Sequence, residues 1–202
     1  MKDEKGLNLN IKVLVVDDYK ERRKELGVIL NSITTKIYEA DNGASGVMAA
    51  EEFKPDIIFM DIKMPSMNEI TACKKIMEKN PVPVIFLTAG VGDIEDYDKY
   101  MEELKGSGAF SYIIKPARKS EILAQTIIAI ENFKRLQDIK KENETLKQYI
   151  EDRKLIDKAK NMLMEKESIT EREAHGRLQR LSMNSGRPLG DIARAIILTS
   201  SE

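Results

Sequence analysis

Four charged side chains stand directly after short apolar runs of the sequence, where they could act together. They are Asp17, Asp18, Asp61 and Lys115. Each run is apolar at consecutive positions, which is typical of a strand that is buried on both faces of a parallel sheet. The carboxyl ends of such strands meet at one edge of the sheet, where open α/β sheets bind ligands. We therefore expect three carboxylates and one ammonium group to share a cleft.

This acidic cluster has two possible interpretations. Three carboxylates close together repel each other, and a divalent cation would neutralise them. Oxygen ligands favour Mg²⁺, which keeps several of its waters and needs few protein ligands. The chemical reading is therefore a magnesium site beside a reactive carboxylate. The alternative is a domain without chemistry, whose acids only keep the edge of the sheet soluble.

Strand and helix patterns alternate from residue 11 to about residue 118. The predicted strands are 11–16, 35–39, 56–60, 83–87 and 110–114, and the predicted helices between them are 19–31, 43–53, 67–79 and 92–105. Helical crossovers join parallel strands. The predicted fold class is therefore α/β, with a five-stranded, doubly wound parallel sheet.

A single long helix is predicted to follow the sheet, because residues 120–166 contain neither proline nor glycine. Apolar residues in its middle part follow the three-four spacing of a coiled-coil seam. The seam consists of Leu136, Ile139, Asn143, Leu146 and Ile150. A polar residue at an inner position such as Asn143 fixes the register of a dimer. The alternative to a dimer is an amphipathic helix that packs on its own α/β domain.

Two shorter helices are predicted near the C-terminus. Thr170 and Glu173 form a capping box at the start of one, and the segment 184–186 ends it. Pro188 suits the first turn of the next. With the end of the long helix they make a small three-helix all-α domain. The predicted domain boundaries are 9–130 for the α/β domain, 131–153 for the coiled-coil linker helix and 154–202 for the all-α domain.

Composition narrows the class of protein. The formal net charge is −1, so the whole-chain charge gives no argument for nucleic-acid binding. Cys73 is the single cysteine, which rules out a disulfide within the chain and fits a reducing compartment. The sequence contains no run of 18 apolar residues and no apolar stretch typical of a signal peptide at its N-terminus. We expect a soluble cytoplasmic protein without a membrane partner.

Four motifs follow one another in the α/β region: Asp17-Asp18, Asp61-Ile62-Lys63-Met64-Pro65, Thr88-Ala89 and Lys115-Pro116. They resemble the motifs of response-regulator receiver domains, which have a flavodoxin-like fold. The resemblance implies that a sensor histidine kinase phosphorylates Asp61. It also implies that Asp18, Asp61 and the backbone carbonyl of Lys63 bind Mg²⁺ directly, while Asp17 acts through water.

The same resemblance assigns roles to three further residues. Lys115 offsets negative charge on the transferring oxygens, and the Thr88 hydroxyl donates to the phosphorylated aspartate. Tyr112 stands at the aromatic switch position of the family, and the Lys115–Pro116 peptide bond is expected to be cis. Such a protein promotes its own phosphorylation and dephosphorylation and is not otherwise an enzyme.

The sequence departs from the receiver pattern at two places. Glu69 stands where the family usually has glycine, so a turn near the acceptor is expected to differ. The segment from Thr88 to Lys115 is also about five residues longer than usual for such receivers. We expect both departures to affect how the signal leaves the acidic cleft.

A pattern of helical segments covers the C-terminal region: 159–164, 170–174, 177–183, 188–189 and 192–193. It resembles the ANTAR module, a three-helix RNA-binding domain on a coiled coil in transcription antitermination regulators. The resemblance extends to antiterminators of ethanolamine utilisation. It implies a homodimer when phosphorylated, which binds leader RNA hairpins and prevents termination. The basic residues expected to contact RNA are Lys160, Arg177, Arg180, Arg187 and Arg194.

Three alternatives remain open for the C-terminal region. The basic residues could form only a solvated helix face of mixed charge. The last two helices, with Gly186 between them, could be a DNA-binding helix-turn-helix. The protein could also be an interaction switch that recruits a partner through the coiled coil, with no nucleic acid involved.

Overall fold

The computed structural model describes residues 9–62, 64, 68–88, 102 and 104–199. Its strands are β1 (Lys12–Val16), β2 (Lys36–Ala40), β3 (Ile57–Asp61), β4 (Val84–Thr88) and β5 (Ser111–Ile114). They form one sheet of order β2-β1-β3-β4-β5, and all neighbouring pairs are parallel. The predicted five-stranded parallel sheet is confirmed, and each strand begins one residue later than predicted.

Three helices connect the first four strands. They are α1 (Lys20–Leu30), α2 (Gly43–Phe53) and α3 (Glu69–Lys79). The Asn42 side chain and Ser45 form a capping box at the start of α2. The Asn68 side chain accepts from the Ile70 N–H at the start of α3. The three predicted helices in these regions are confirmed, and the fourth, 92–105, lies largely outside the described residues.

Alternate residues of β1 belong to different sides of the sheet. Leu14 and Val16 lie in a buried cluster with α2 and α3. Val13 and Val15 lie in a second cluster with α1 and with Ile122, Ala129 and Ile130, which follow β5 in the chain. β3 is buried at all five positions. A strand that is covered on both faces is apolar along its length, so a charged residue is tolerated only at its end, where cationic side chains can reach it. This is why Asp61 is the last residue of β3.

The long helix α4 (Lys119–Glu167) is continuous, as predicted. Two compact units divide the chain, one ending at Leu136 and the other beginning at Gln137. The seam residues Leu136, Ile139, Leu146 and Ile150 are each between 52% and 55% exposed. An apolar stripe therefore stays accessible along the middle of α4. Within the described residues, no helix combines the length and apolarity that spanning a bilayer requires.

The second unit has its own small core. Helices α5 (Glu171–Ser185) and α6 (Leu189–Thr199) follow α4. Thr170 and Glu173 form the predicted capping box, and Gly186, with φ 66°, ends α5. Pro188 precedes α6 rather than standing inside its first turn, and its carbonyl accepts from the Ile192 N–H. The buried residues are Ala159, Leu163, Ala174, Leu178, Ile192 and Ala193.

Two helical glycines of this unit have opposite surroundings. A Cβ atom at Gly176 would meet nothing within 4 Å. A Cβ atom at Gly190 would lie 2.6 Å from the carboxylate carbon of Asp152. Alanine at position 190 would therefore have to displace the Asp152 side chain, whereas alanine at position 176 in α5 would displace nothing.

We expect opposite effects from Gly176→Ala and Gly190→Ala on the unfolding free energy. The first should raise it by about 0.5–1 kcal/mol, because alanine favours a helix over glycine. The second should lower it by about 1–2 kcal/mol through the contact with Asp152. Urea unfolding followed by circular dichroism measures both. Gly190→Ala should no longer destabilise the protein when combined with Asp152→Ala, and an equal loss in that background would contradict the assignment.

Candidate functional site

The structure brings the three predicted acids together at the carboxyl edge of the sheet. Asp17 directly follows β1, Asp18 is next, and Asp61 ends the neighbouring strand β3. One carboxylate oxygen from each of the three lies within 4.8 Å of the others. Asp17 and Asp61 are buried, and Asp18 is half-buried. Repulsion between these groups acts in a setting that water screens poorly.

Two cations reach this cluster. The Lys115 Nζ atom pairs with Asp61 Oδ1 and lies 3.7 Å from Asp17 Oδ2. The Arg22 Nη1 atom, from the first turn of α1, lies 3.4 Å from Asp61 Oδ2. Sequence reasoning identified Lys115 and missed Arg22. The available signal was that α1 begins just beyond β1, so a long cationic side chain in its first turn can reach the same edge.

The Asp17 carboxylate is held by its own neighbours. The Tyr19 backbone N–H donates to Asp17 Oδ1 at 2.8 Å. The Arg23 Nη1 atom donates to the Asp17 backbone carbonyl at 2.7 Å, and its Nε atom donates to Glu39. Burial raises the pKa of Asp17, the Tyr19 hydrogen bond lowers it, and the negative charge of Asp61 raises it. The net result is a raised pKa, so the charged form of Asp17 is unfavourable in this cleft.

One further predicted receiver position, Thr88, lies in the same cleft. Thr88 is the last residue of β4 and, with the three acids and Lys115, lines a cavity of about 640 Å³. The Tyr112 side chain on β5 is 47% exposed. The Lys115–Pro116 peptide bond is cis, as the resemblance implied. Lys63 lies outside the described residues, so the predicted role of its carbonyl stays a prediction.

Glu69, which replaces the usual glycine, begins α3 and is buried. Its φ angle is not positive. Asn68 caps the helix one residue earlier by accepting from the Ile70 N–H at 2.8 Å. The backbone at position 69 therefore adopts a conformation open to any residue, and the missing glycine leaves this helix start intact.

The basic residues of the C-terminal unit differ in their exposure and in whether a carboxylate pairs with them. The Lys160 side chain is 14% exposed and forms ion pairs with Asp157 at 2.8 Å and Glu171 at 2.7 Å. Its hydrogen bond to Asp157 raises the pKa of Lys160. Arg177 pairs with Glu167. The remaining three candidates are exposed: Arg180, Arg187 and Arg194.

Comparison with known proteins accounts for both units. Residues 13–127 match the response regulator receiver domain, and residues 144–197 match the ANTAR domain. The chain belongs to the response regulators that carry a receiver domain and a C-terminal ANTAR domain. Proteins of this kind are regulators and not a family of catalytic enzymes.

Individual relatives agree with this assignment. The transcriptional regulatory protein PdtaR of Mycobacterium tuberculosis is 31% identical over 189 residues, which are 93% of this chain and 90% of PdtaR. The transcriptional regulatory protein YdfI of Bacillus subtilis is 38% identical over 66% of this chain and 68% of its own length. The response regulator domain of Thermotoga maritima CheB matches with a TM-score of 0.51 and 34% identity, covering 60% of this chain and 96% of that domain.

The acidic cleft of this response regulator fits a hard divalent cation. Its donors are carboxylate oxygens, close enough together to share one ion. Asp17, Asp18 and Asp61 would hold Mg²⁺, as is typical of receiver domains. Within the described residues, Lys115 and Arg22 supply two positive charges against three negative ones. The cleft therefore keeps one uncompensated negative charge, which a cation would neutralise.

We expect Asp17→Asn to raise the free energy of unfolding of the cation-free response regulator at neutral pH. The folded pKa of Asp17 is raised, so its charged form costs stability above that pKa and costs nothing below the ordinary value. Urea unfolding in EDTA at neutral pH and near pH 4 measures this. The difference in unfolding free energy between the variant and the wild type should vanish in acid. At saturating Mg²⁺ the wild type should be the more stable of the two. A gain that is independent of pH would contradict the argument.

Proposed function

We propose that this protein is a two-component response regulator whose phosphorylated form binds RNA hairpins and prevents transcription termination. A sensor histidine kinase phosphorylates Asp61, which is the input. The ANTAR domain supplies the output. The observation that carries the proposal is Asp61 paired with Lys115 inside an acidic cleft, in the same chain as an ANTAR domain. The domain limits proposed are 9–130, 131–153 and 154–202.

The chemistry at Asp61 is transfer of a phosphoryl group to a carboxylate. One carboxylate oxygen attacks the phosphorus atom of the phosphorylated kinase histidine, and the P–N bond breaks with its electron pair going to the histidine nitrogen. Lys115 is positioned to offset charge on the transferring oxygens, and Thr88 to donate its hydroxyl to the product. Bound Mg²⁺ supplies further charge neutralisation at this site.

Dimerisation through α4 is the step that connects input and output. The half-exposed stripe of Leu136, Ile139, Leu146 and Ile150 supports it, and Asn143 provides a polar residue for register. Phosphorylation shifts the equilibrium toward the dimer, and Tyr112 serves as the switch residue. Two ANTAR domains on one coiled coil then bind paired hairpins far more tightly than one domain does, because the second contact becomes intramolecular.

We expect beryllofluoride, a phosphoryl mimic, to increase the dimer fraction of the wild type in sedimentation equilibrium. Leu146→Lys should weaken the dimer at least about tenfold by burying a charge in the seam. Thr145→Lys adds the same charge at an exposed position outside the seam and is the matched control. Asp61→Asn should remove the response to beryllofluoride. Monomers with and without the mimic would refute the dimer switch.

RNA recognition in this proposal depends on arginine rather than on aromatic stacking. No Phe, Trp or Tyr follows Tyr149 in the sequence. Guanidinium groups suit phosphate oxygens and unpaired bases. Arg180, Arg187 and Arg194 are exposed, whereas Lys160 is held by two carboxylates and would have to leave them to contact RNA. We place the exposed arginines before Lys160 in importance.

We expect Arg177→Ala with Arg180→Ala to weaken binding of a leader hairpin RNA by about tenfold or more and to reduce the salt dependence of binding. The control variant, Lys158→Ala with Lys166→Ala, removes the same charge from exposed positions of α4. Filter binding across a salt series, with phosphorylated protein and with Asp61→Asn, measures the effect. Equal losses in both variants would remove the site assignment.

The RNA-binding assay also tests two alternative functions. A DNA-binding regulator would prefer duplex DNA to hairpin RNA, yet α6, the helix that would enter the groove, contains Arg194 as its single basic residue. A protein-interaction switch would bind neither nucleic acid at physiological salt. Direct competition between a hairpin RNA and a duplex DNA distinguishes the three functions.

A further inference from the structure

Arg22 contacts the proposed acceptor although no receiver motif includes it. Its Nη1 atom lies 3.4 Å from Asp61 Oδ2, while Lys115 pairs with the other oxygen, Oδ1. The Arg22 side chain is 50% exposed, and that of Asp61 is buried. The guanidinium group therefore stands at the rim of the cleft, directly outside one of the two acceptor oxygens.

The position of the guanidinium is fixed by a second contact. Its central carbon lies 4.3 Å from the centre of the Tyr19 ring. A cation over an aromatic face is attracted to it, and this limits the rotamers that Arg22 samples. The Tyr19 backbone N–H meanwhile holds Asp17. One residue thus orients both a carboxylate of the cleft and the cation at its rim.

The contact between Arg22 and Asp61 is loose for an ion pair. Charge-assisted N–H···O bonds are typically about 2.7–2.9 Å long, and this one is 3.4 Å. Asp61 is also the only carboxylate within ion-pair distance of Arg22 in the described part of the chain. A guanidinium carries five N–H donors, so this one loose bond leaves most of them available to further acceptors.

We propose that Arg22 is a phosphoryl-binding residue. Its guanidinium group binds the phosphoryl oxygens as they enter the cleft and after the phosphoryl group is bonded to Asp61. The inference rests on the proposed function, in which Asp61 accepts the phosphoryl group. Phosphorylation replaces one carboxylate charge with about two charges spread over three new oxygens. These oxygens extend outward from Asp61, toward the rim where the guanidinium fork stands.

The same geometry gives Arg22 an opposite effect on the cation. In the unphosphorylated protein, Arg22 and Mg²⁺ are both positive and share Asp61, so each weakens the binding of the other. Loss of the arginine should therefore tighten Mg²⁺ binding and weaken phosphoryl binding. A variant that merely damages the fold would weaken both.

The test uses the full chain and the small donor acetyl phosphate, so no kinase is required. An Asp61 oxygen bonds to phosphorus, the bond from phosphorus to the acetyl oxygen breaks, and acetate leaves with the electron pair. Arg22→Ala should lower the second-order rate constant for phosphorylation by about tenfold and raise the beryllofluoride Kd by about the same factor at saturating Mg²⁺. Titration calorimetry without phosphate should show Mg²⁺ binding several-fold tighter.

Three control variants separate charge, stacking and position. Lys24→Ala removes a positive charge from an exposed position of the same helix and should leave both constants unchanged. Tyr19→Phe retains the ring and should be phosphorylated at the wild-type rate. Tyr19→Leu removes the ring and should be phosphorylated more slowly by acetyl phosphate. Arg22→Lys should fall between alanine and the wild type, because it retains charge without the planar fork.

Two results would overturn the inference, and they are distinguishable. If Arg22→Ala matches Lys24→Ala in both constants, or weakens Mg²⁺ and beryllofluoride together, Arg22 does not bind the phosphoryl group, and Asp61 stays the proposed acceptor. If the wild type shows no Asp61-dependent labelling by acetyl phosphate and no beryllofluoride binding, the inference and the proposed function both fail.

Discussion

Repulsion among three carboxylates at the edge of a rigid apolar sheet is the constraint on which this receiver domain depends. Their oxygens lie within 4.8 Å of one another, and the strands before Asp17 and Asp61 are buried on both faces. The backbone cannot move to relieve the repulsion without exposing the core. Relief must therefore come from other charges and donors, and Lys115, Arg22 and the Tyr19 N–H supply it.

The charge of the cleft bears on how the proposed phosphorylation of Asp61 would act as a switch. Three carboxylates with Lys115 and Arg22 carry −3 + 2 = −1. A bound Mg²⁺ brings the sum to +1, and an acyl phosphate on Asp61, with a charge of roughly −2 in place of −1, brings it to zero. The cation thus creates an excess of positive charge that the phosphoryl group removes. Bound Mg²⁺ therefore favours the negatively charged phosphoryl group, and the phosphoryl group in turn favours bound Mg²⁺.

The sheet and its charged edge could be predicted from sequence because they depend on local patterns. An apolar run that ends in an acid identifies both a buried strand and its carboxyl end, as for Asp61. For Arg22 the sequence shows only that a long cationic side chain in the first turn of α1 can reach the edge, because the contact itself depends on the direction in which α1 leaves the edge. The ion pair of Lys160 with Glu171 depends similarly on how α4 packs against α5. The sequence identified Lys160 as basic but could not show that two carboxylates already hold it.

The composition of the C-terminal core bears on how an output could follow from dimerisation. Three of its six buried side chains are alanine, so the hydrophobic free energy of this unit is small. The adjacent seam exposes about half of each of its large apolar side chains. Burying that seam in a dimer would add apolar contact to the same helix that carries Ala159 and Leu163 of the core. Association along α4 would therefore stabilise the ANTAR helices as well as pair them, since any partner that binds the folded form stabilises it.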